Sequence, residues 1–336
     1  MKKVVTFGEV MMRLSPPGFA KFSQTNTLDV VYGGGEANVA ISLAYFGLQA
    51  SHVTRFPDNI IGYSAAQFLR HHWLDSTWIL YGDQFMGKYF LEKGAVHRPS
   101  QVVYEREGSA FSKIQPGMVD WKAVLKDADW FHWTGITPAV SSGAAECTKE
   151  AIAVANELGV TVSADIHSRK NLWNFGKTQK DIMPDLIAGC DVVIGSDLDI
   201  AEIFGFEVSG ELEERFISAA QQLITRYPRI QKVFDKDRKA ISASHNSIRG
   251  KMWNGKSFRK THKLEVTHIV DRVGTGDAYA AGLIYGLLHY TDDLEALKFA
   301  TAACALKHTV EGDANMVSLD SVLELTKGNT SGKIIR

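Results

Sequence analysis

The sequence predicts an α/β fold built on a doubly wound, mostly parallel sheet with a small β-sheet lid. Three observations lead there. Short apolar runs alternate with helical stretches of 10–15 residues along most of the chain. Two segments, 12–32 and 83–112, break that rhythm with short alternating strands and no helix. Beyond residue 270 the pattern turns almost wholly helical.

Taken in order, VVTFGEV opens as a buried strand broken at Gly8. GEANVAISLAYFGL (35–48) reads as a helix closed by Gly47, SHVTRF (51–56) as a strand, and IIGYSAAQFLRHHWL (60–74) as a second helix. The same beat recurs at DADWFHWTG (127–135), SSGAAECTKEAIAVANELGV (141–160), TVSADI (161–166) and CDVVIGS (190–196). Strands placed between such units, as in GKYFLEKG (87–94) and SQVVYERE (100–107), suggest a small projecting sheet, either a lid or a dimer surface. The polar, turn-rich stretch 238–260 predicts a hairpin on the far side of the main sheet. Residues 1–312 are expected to form the main unit and 313–336 a C-terminal helix and tail.

The 336 residues carry a formal net charge of -1, with no basic block interleaved with aromatics, so a nucleic-acid surface is not expected. Cys147, Cys190 and Cys304 are widely separated and odd in number, as reduced thiols of a cytoplasmic protein would be. The start, MKKVVTFGEVMMRL, lacks the apolar stretch and cleavage site of a secretion signal, and no run is long enough to span a membrane.

The chemistry concentrates at IVDRVGTGDAYAAG (269–282). Gly274 and Gly276 let backbone amides approach an anion with no Cβ between. A helix starting near Gly276 would add its free N–H groups and positive end. Asp277 in that first turn is ill placed to bind phosphate but well placed to accept a proton from an attacking hydroxyl. The same residues could equally be a tight turn and a helix cap. A second cluster, VYGGGEANVA (31–40), again puts glycines before a helix, with Glu36 and Asn38 able to add polar contacts or merely cap it. No Gly-x-Gly-x-x-Gly follows the first strand, which argues against a dinucleotide-dependent oxidoreductase. TKGNTSGKI (326–334) has the wrong glycine spacing for a phosphate loop.

GGGEANVA together with DRVGTGDAYAAG resembles the ribokinase-like (PfkB) family of carbohydrate kinases, over about residues 2–312. GEVMMRLSP, YFLEKG, VVYEREGSA, WTGITPAVS and DIHSRKNLW are similar to segments of its 2-keto-3-deoxygluconate kinases. The resemblance implies ATP- and Mg²⁺-dependent transfer of the γ-phosphoryl group to the 6-hydroxyl of a keto-deoxy sugar acid. It also implies a homodimer formed through the β lid. By this resemblance Asp277 is the general base, and the amides of Val273, Gly274, Thr275 and Gly276 form the anion hole. Gly34, Asn38, Tyr89, Tyr104, Arg106 and Arg169 would hold the sugar acid, the arginines gripping its carboxylate. His167 is either a strand-end residue or a ligand contact.

Two departures from the family pattern stand out. Where the family has Asn-x-x-Glu near magnesium, this chain has Ser196 and Asp199, with Glu202 one turn on; the two acids are expected to reach the metal, in part through water. The glycine turn on the nucleotide side is replaced by VFDKDRKAISASHNSIRG, which leaves nucleotide contacts to 235–249, Ser196, Ala303, Lys307 and His308. Other sugars such as fructose or ribose, the galactonate epimer, and a non-catalytic sensor are the alternatives. The intact Gly-Thr-Gly-Asp stretch argues against a sensor.

Overall fold

Runs of branched and aromatic residues fold as central strands only when both of their faces are covered. The computed structural model, which describes residues 1–167, 172–330 and 332, covers both. Val5 and Phe7 enter one apolar cluster and Val4 the other; Val193 likewise opposes Val192 and Ile194.

The strands are β1 (Lys3–Phe7), β2 (Met11–Ser15), β3 (Asp29–Gly33), β4 (Gln49–Phe56), β5 (Ile79–Tyr81), β6 (Lys88–Glu92) and β7 (Gln101–Glu105). They continue with β8 (Trp130–Thr134), β9 (Thr161–Asp165), β10 (Val192–Ile194), β11 (Lys232–Ser242), β12 (His245–Trp253), β13 (Phe258–Lys260) and β14 (Leu264–Val266). The main sheet runs β13-β12-β11-β10-β9-β8-β1-β4-β5, with β14 also on β12. From β11 to β5 the pairings are parallel. The stretch expected to lie beyond the sheet instead extends it, as the antiparallel strands β12 and β13 along the edge at β11.

The helices are α1 (Gly35–Tyr45), α2 (Ile60–His71), α3 (Trp121–Leu125), α4 (Thr137–Val140), α5 (Ser142–Glu157) and α6 (Gln179–Ile187). They are followed by α7 (Asp197–Phe204), α8 (Leu212–Arg226), α9 (Thr275–His289), α10 (Asp293–Lys307) and α11 (Leu319–Thr326). The small residues of α9 have a packing reason. A Cβ at Gly282 would lie 2.8 Å from the Ala300 Cα, and one at Gly286 2.5 Å from the Ala296 Cα, so α9 and α10 touch along their backbones.

The two interrupting segments build a separate sheet in the order β3-β2-β6-β7. Its register sets Arg13 beside Tyr89 and Tyr89 opposite Tyr104. Met11, Tyr89 and Leu91 on its inner face pack against Val273, which places this lid over the start of α9. Among the described residues no helix is long and apolar enough to cross a membrane.

Candidate active site

The chain leaves β1 toward β4 and β5, then returns to β8 on the other side of β1. Such a reversal opens a crevice at the carboxyl ends of the strands. Here a cavity of about 540 Å³ lies between those ends and the lid, within the range of ligand sites. Met11, Tyr89 and Tyr104 line it from the lid, Gly33–Gly35 and Asn38 from the start of α1, and Asp165 and His167 from the end of β9.

The loop 272–277 forms its floor. Gly274 turns the chain at φ 77°, and α9 starts one residue later. No other residue fits, because a Cβ there would lie 1.8 Å from the Asp313 carbonyl oxygen. The free amides ahead of this 15-residue helix face a cavity that Lys236, Arg238 and Arg272 also line. The Lys236 Nζ lies 3.8 Å from where a Gly276 Cβ would stand. Amides, helix end and three cations together suit a polyphosphate.

Asp277 stands in the first turn of α9, and its Oδ2 accepts a 2.7 Å hydrogen bond from Asn38 Nδ2. Burial raises its carboxyl to about 7 against the opposing Asn38 bond, with Asp165, Glu36 and Asp313 adding repulsion. A carboxylate of that basicity can take a proton near neutral pH. Glu36, one turn into α1, is tied down by the Thr134 and Thr137 hydroxyls at 2.7 and 2.5 Å. A Cβ at Gly8 would collide with its carboxyl group, which accounts for the break after β1.

His167 Nδ1 is 2.6 Å from Asp165 Oδ1, and its Nε2 is 3.6 Å from Asp235 Oδ1. Burial alone would lower its basicity, but Asp165 and then Asp235 raise it to about 9, so it is a cation on the cavity wall.

The model of the pfkB family of carbohydrate kinases matches residues 1–319. The chain belongs to that family. A 2-dehydro-3-deoxygalactonokinase of Haloferax volcanii is 30% identical over 332 residues, covering 98% of each chain. A 2-dehydro-3-deoxygluconokinase of Thermoproteus tenax is 27% identical, covering 93% of this chain and 90% of its own. The crystal structure of 2-dehydro-3-deoxygluconokinase from Thermotoga maritima superposes with a TM-score of 0.92 at 40% identity, over 98% of this chain and all of the other.

In this pfkB kinase the expected site residues divide. Gly34, Asn38, Tyr89, Tyr104, Ser196, Gly274, Thr275, Gly276 and Asp277 line one cavity. Arg169 lies outside the described residues. Arg106 is turned away from the cavity: its Nε donates to Glu9 Oε2 at 2.8 Å, and its Nη2 reaches the same oxygen. Glu9 is buried, with Ser109 Oγ on its other oxygen at 2.5 Å, and an acid in that position demands a cation. Arg106→Ala is therefore expected to lower stability by about 3–5 kcal/mol, measured by chemical denaturation, besides any effect on substrate.

Ala303, Lys307 and His308, expected at the nucleotide, are all buried: Ala303 packs against Gly282 of α9, and the Lys307 Cε lies 3.4 Å from where a Gly274 Cβ would stand. Lys307 Nζ donates to the Val310 carbonyl at 3.0 Å. His308, kept neutral by burial, spans the Cys304 carbonyl and Asn246 of β12. The cations that do line the cavity are Lys236, Arg238 and Arg272.

The two acids expected near magnesium, Asp199 and Glu202, lie three residues apart on α7. Ser196 Oγ donates to Asp199 Oδ2 at 2.6 Å, so that acid faces its own helix cap. Glu202 borders a different cavity, with Trp173 and Lys180. Among the described residues no three acids, histidines or cysteines converge as a metal cage. Magnesium held mainly by substrate phosphates needs none.

Asp313 is a cavity residue that the sequence boundary at 312 excluded. It accepts from Arg13 Nη1 at 2.8 Å and from the Tyr89 hydroxyl, and a Cβ at Gly33 would lie 2.3 Å from its Oδ2. The second glycine cluster thus makes room for an acid from the far end of the chain.

Proposed function

We propose that this carbohydrate kinase transfers the γ-phosphoryl group of ATP to the 6-hydroxyl of 2-keto-3-deoxygluconate. The observation that carries the reading is Asp277 in one cavity with the amides of Gly274 to Gly276, its carboxylate oriented by Asn38. Asp277 takes the hydroxyl proton as the oxygen attacks phosphorus. The amides of Gly274 to Gly276, with Lys236, Arg238 and Arg272, stabilise charge on the phosphates, the Val273 N–H being taken by Asp271. Magnesium bound with the nucleotide would neutralise phosphate charge, and Ser196 with Asp199 would meet it through water. Gly34, Asn38, Tyr89, Tyr104 and Asp313 hold the sugar acid, with Arg169 assigned to its carboxylate while Arg106 stays on Glu9.

The galactonate-derived epimer is the second reading, favoured by the Haloferax volcanii relative. Exposed Val30, Val102, Val103 and Tyr104 on the lid support a homodimer formed there, and three free, buried thiols are in keeping with a cytoplasmic enzyme. ADP release with ATP and magnesium, compared across the two epimers, fructose and ribose, tests the assignment. We expect turnover of the sugar acids and little of the neutral sugars. Preference for a neutral sugar would overturn the carboxylate clamp.

A further inference from the structure

Arg13 takes no part in the reaction as set out above and does not line the cavity, yet its side chain is only 1% exposed and touches two carboxylates. Nη2 donates to Asp271 Oδ2 at 2.7 Å and Nη1 to Asp313 Oδ1 at 2.8 Å. We propose that Arg13 is a positioning residue that ties the lid to the anion hole. This rests on reading the amides of Gly274 to Gly276 as that hole.

Both of its partners grip the loop. Asp271 Oδ1 accepts the Val273 N–H at 3.0 Å, which fixes the residue just before the amides of Gly274 to Gly276. Asp271 Oδ2, besides Arg13, takes the Gly312 N–H at 3.2 Å, joining the loop to the segment that carries Asp313. Asp313 in turn accepts the Tyr89 hydroxyl from the lid, and its carbonyl oxygen fills the space that Gly274 leaves open. Arg13 and Tyr89 are neighbours across β2 and β6, so two adjacent lid strands reach the same acid. A planar guanidinium can direct separate N–H groups at two carboxylates, whereas an ammonium offers a point charge with no fixed fork. Burial alone would lower the Arg13 pKa; Asp271 and Asp313 outweigh it and keep the residue charged.

The test compares Arg13→Lys, Asp271→Asn and the double variant with the parent, each well below its own unfolding midpoint. The parent's turnover tests the proposed reaction. The ratio of variant to parent tests Arg13, using whichever sugar the parent phosphorylates. R13K keeps the charge but loses the fork, so kcat should fall about tenfold or more while KM for ATP moves less than about threefold. In the D271N background R13K should add less than about threefold, because part of what Arg13 positions is already gone. An R13K kcat within twofold of the parent, or losses that multiply in the double variant, would overturn the proposal. If R13K does not fold, D271N decides alone. It keeps an oxygen for Val273 but loses the pairing with Arg13, so an unchanged kcat would count against the link and a tenfold loss for it.

Discussion

Asp277→Asn is expected to abolish most turnover, by about a thousandfold, while both substrates still bind. The amide can still accept from Asn38, so the local geometry survives and only the proton acceptor is lost. Calorimetric titration of the sugar acid should give near-parental affinity beside a collapsed kcat; near-parental turnover would remove Asp277 as the base. In the parent enzyme kcat/KM should climb with pH and level off above about 7, where the carboxyl is ionised. The same raised pKa has an opposite effect on stability. A carboxyl that holds its proton more tightly when folded stabilises the fold below the unfolded value, near 4, and that contribution is lost as pH rises through about 7. D277N should therefore be more stable to denaturant than the parent at pH 8, by an amount on the order of a few kcal/mol, with the gap closing toward pH 4.

Gly274→Ala should be nearly as damaging, for a different reason. At φ 77° a Cβ is strained in any surroundings, and here it would also lie 1.8 Å from the Asp313 carbonyl oxygen. Either the loop or Asp313 must move, and both belong to the cavity wall. Displacing even one amide from a developing charge costs about 100-fold or more in kcat. Gly276→Ala is the natural control, since only the Lys236 Nζ, at 3.8 Å, lies near its Cβ position. Steady-state kinetics of the two variants should separate them by at least about tenfold; equal losses would show that the Gly274 conformation is not what the site requires.

Much of this architecture is legible in the sequence because its signals are local. Strand and helix alternate within stretches of 10–15 residues, and Gly274 to Asp277 sit together at one strand-to-helix junction. Gly34, Asn38, Tyr89 and Tyr104 stand in short motifs whose periodicity already sets their faces. What escapes are the partnerships made across the fold. Nothing near Arg106 in the chain reveals that Glu9 holds it, and nothing near Arg13 points to Asp271 or Asp313. Ala303, Lys307 and His308 fall on a plausible helix end, but their burial against α9, the loop at Gly274 and Asn246 of β12 is a tertiary fact. A lone acid after a glycine, as at Asp313, carries no periodic signal. Its only trace is the run Gly33–Gly35, where the space that looked reserved for a ligand is partly filled by Asp313 itself.

The ion pair of Arg13 and Asp313 joins residues 300 positions apart, and Asn38 meets Asp277 across 239. A ribosome delivers these partners at opposite ends of translation. The N-terminal glycines, Arg13 and the lid tyrosines emerge and collapse long before the residues that complete the site, so a nascent chain stalled before 313 holds a buried guanidinium with half its counter-charge missing. Closing contacts of such sequence separation is slow, and the exposed, incomplete intermediate is the species most open to chaperones and proteases. The site is thus completed only once Asp313 has joined Arg13 and Tyr89.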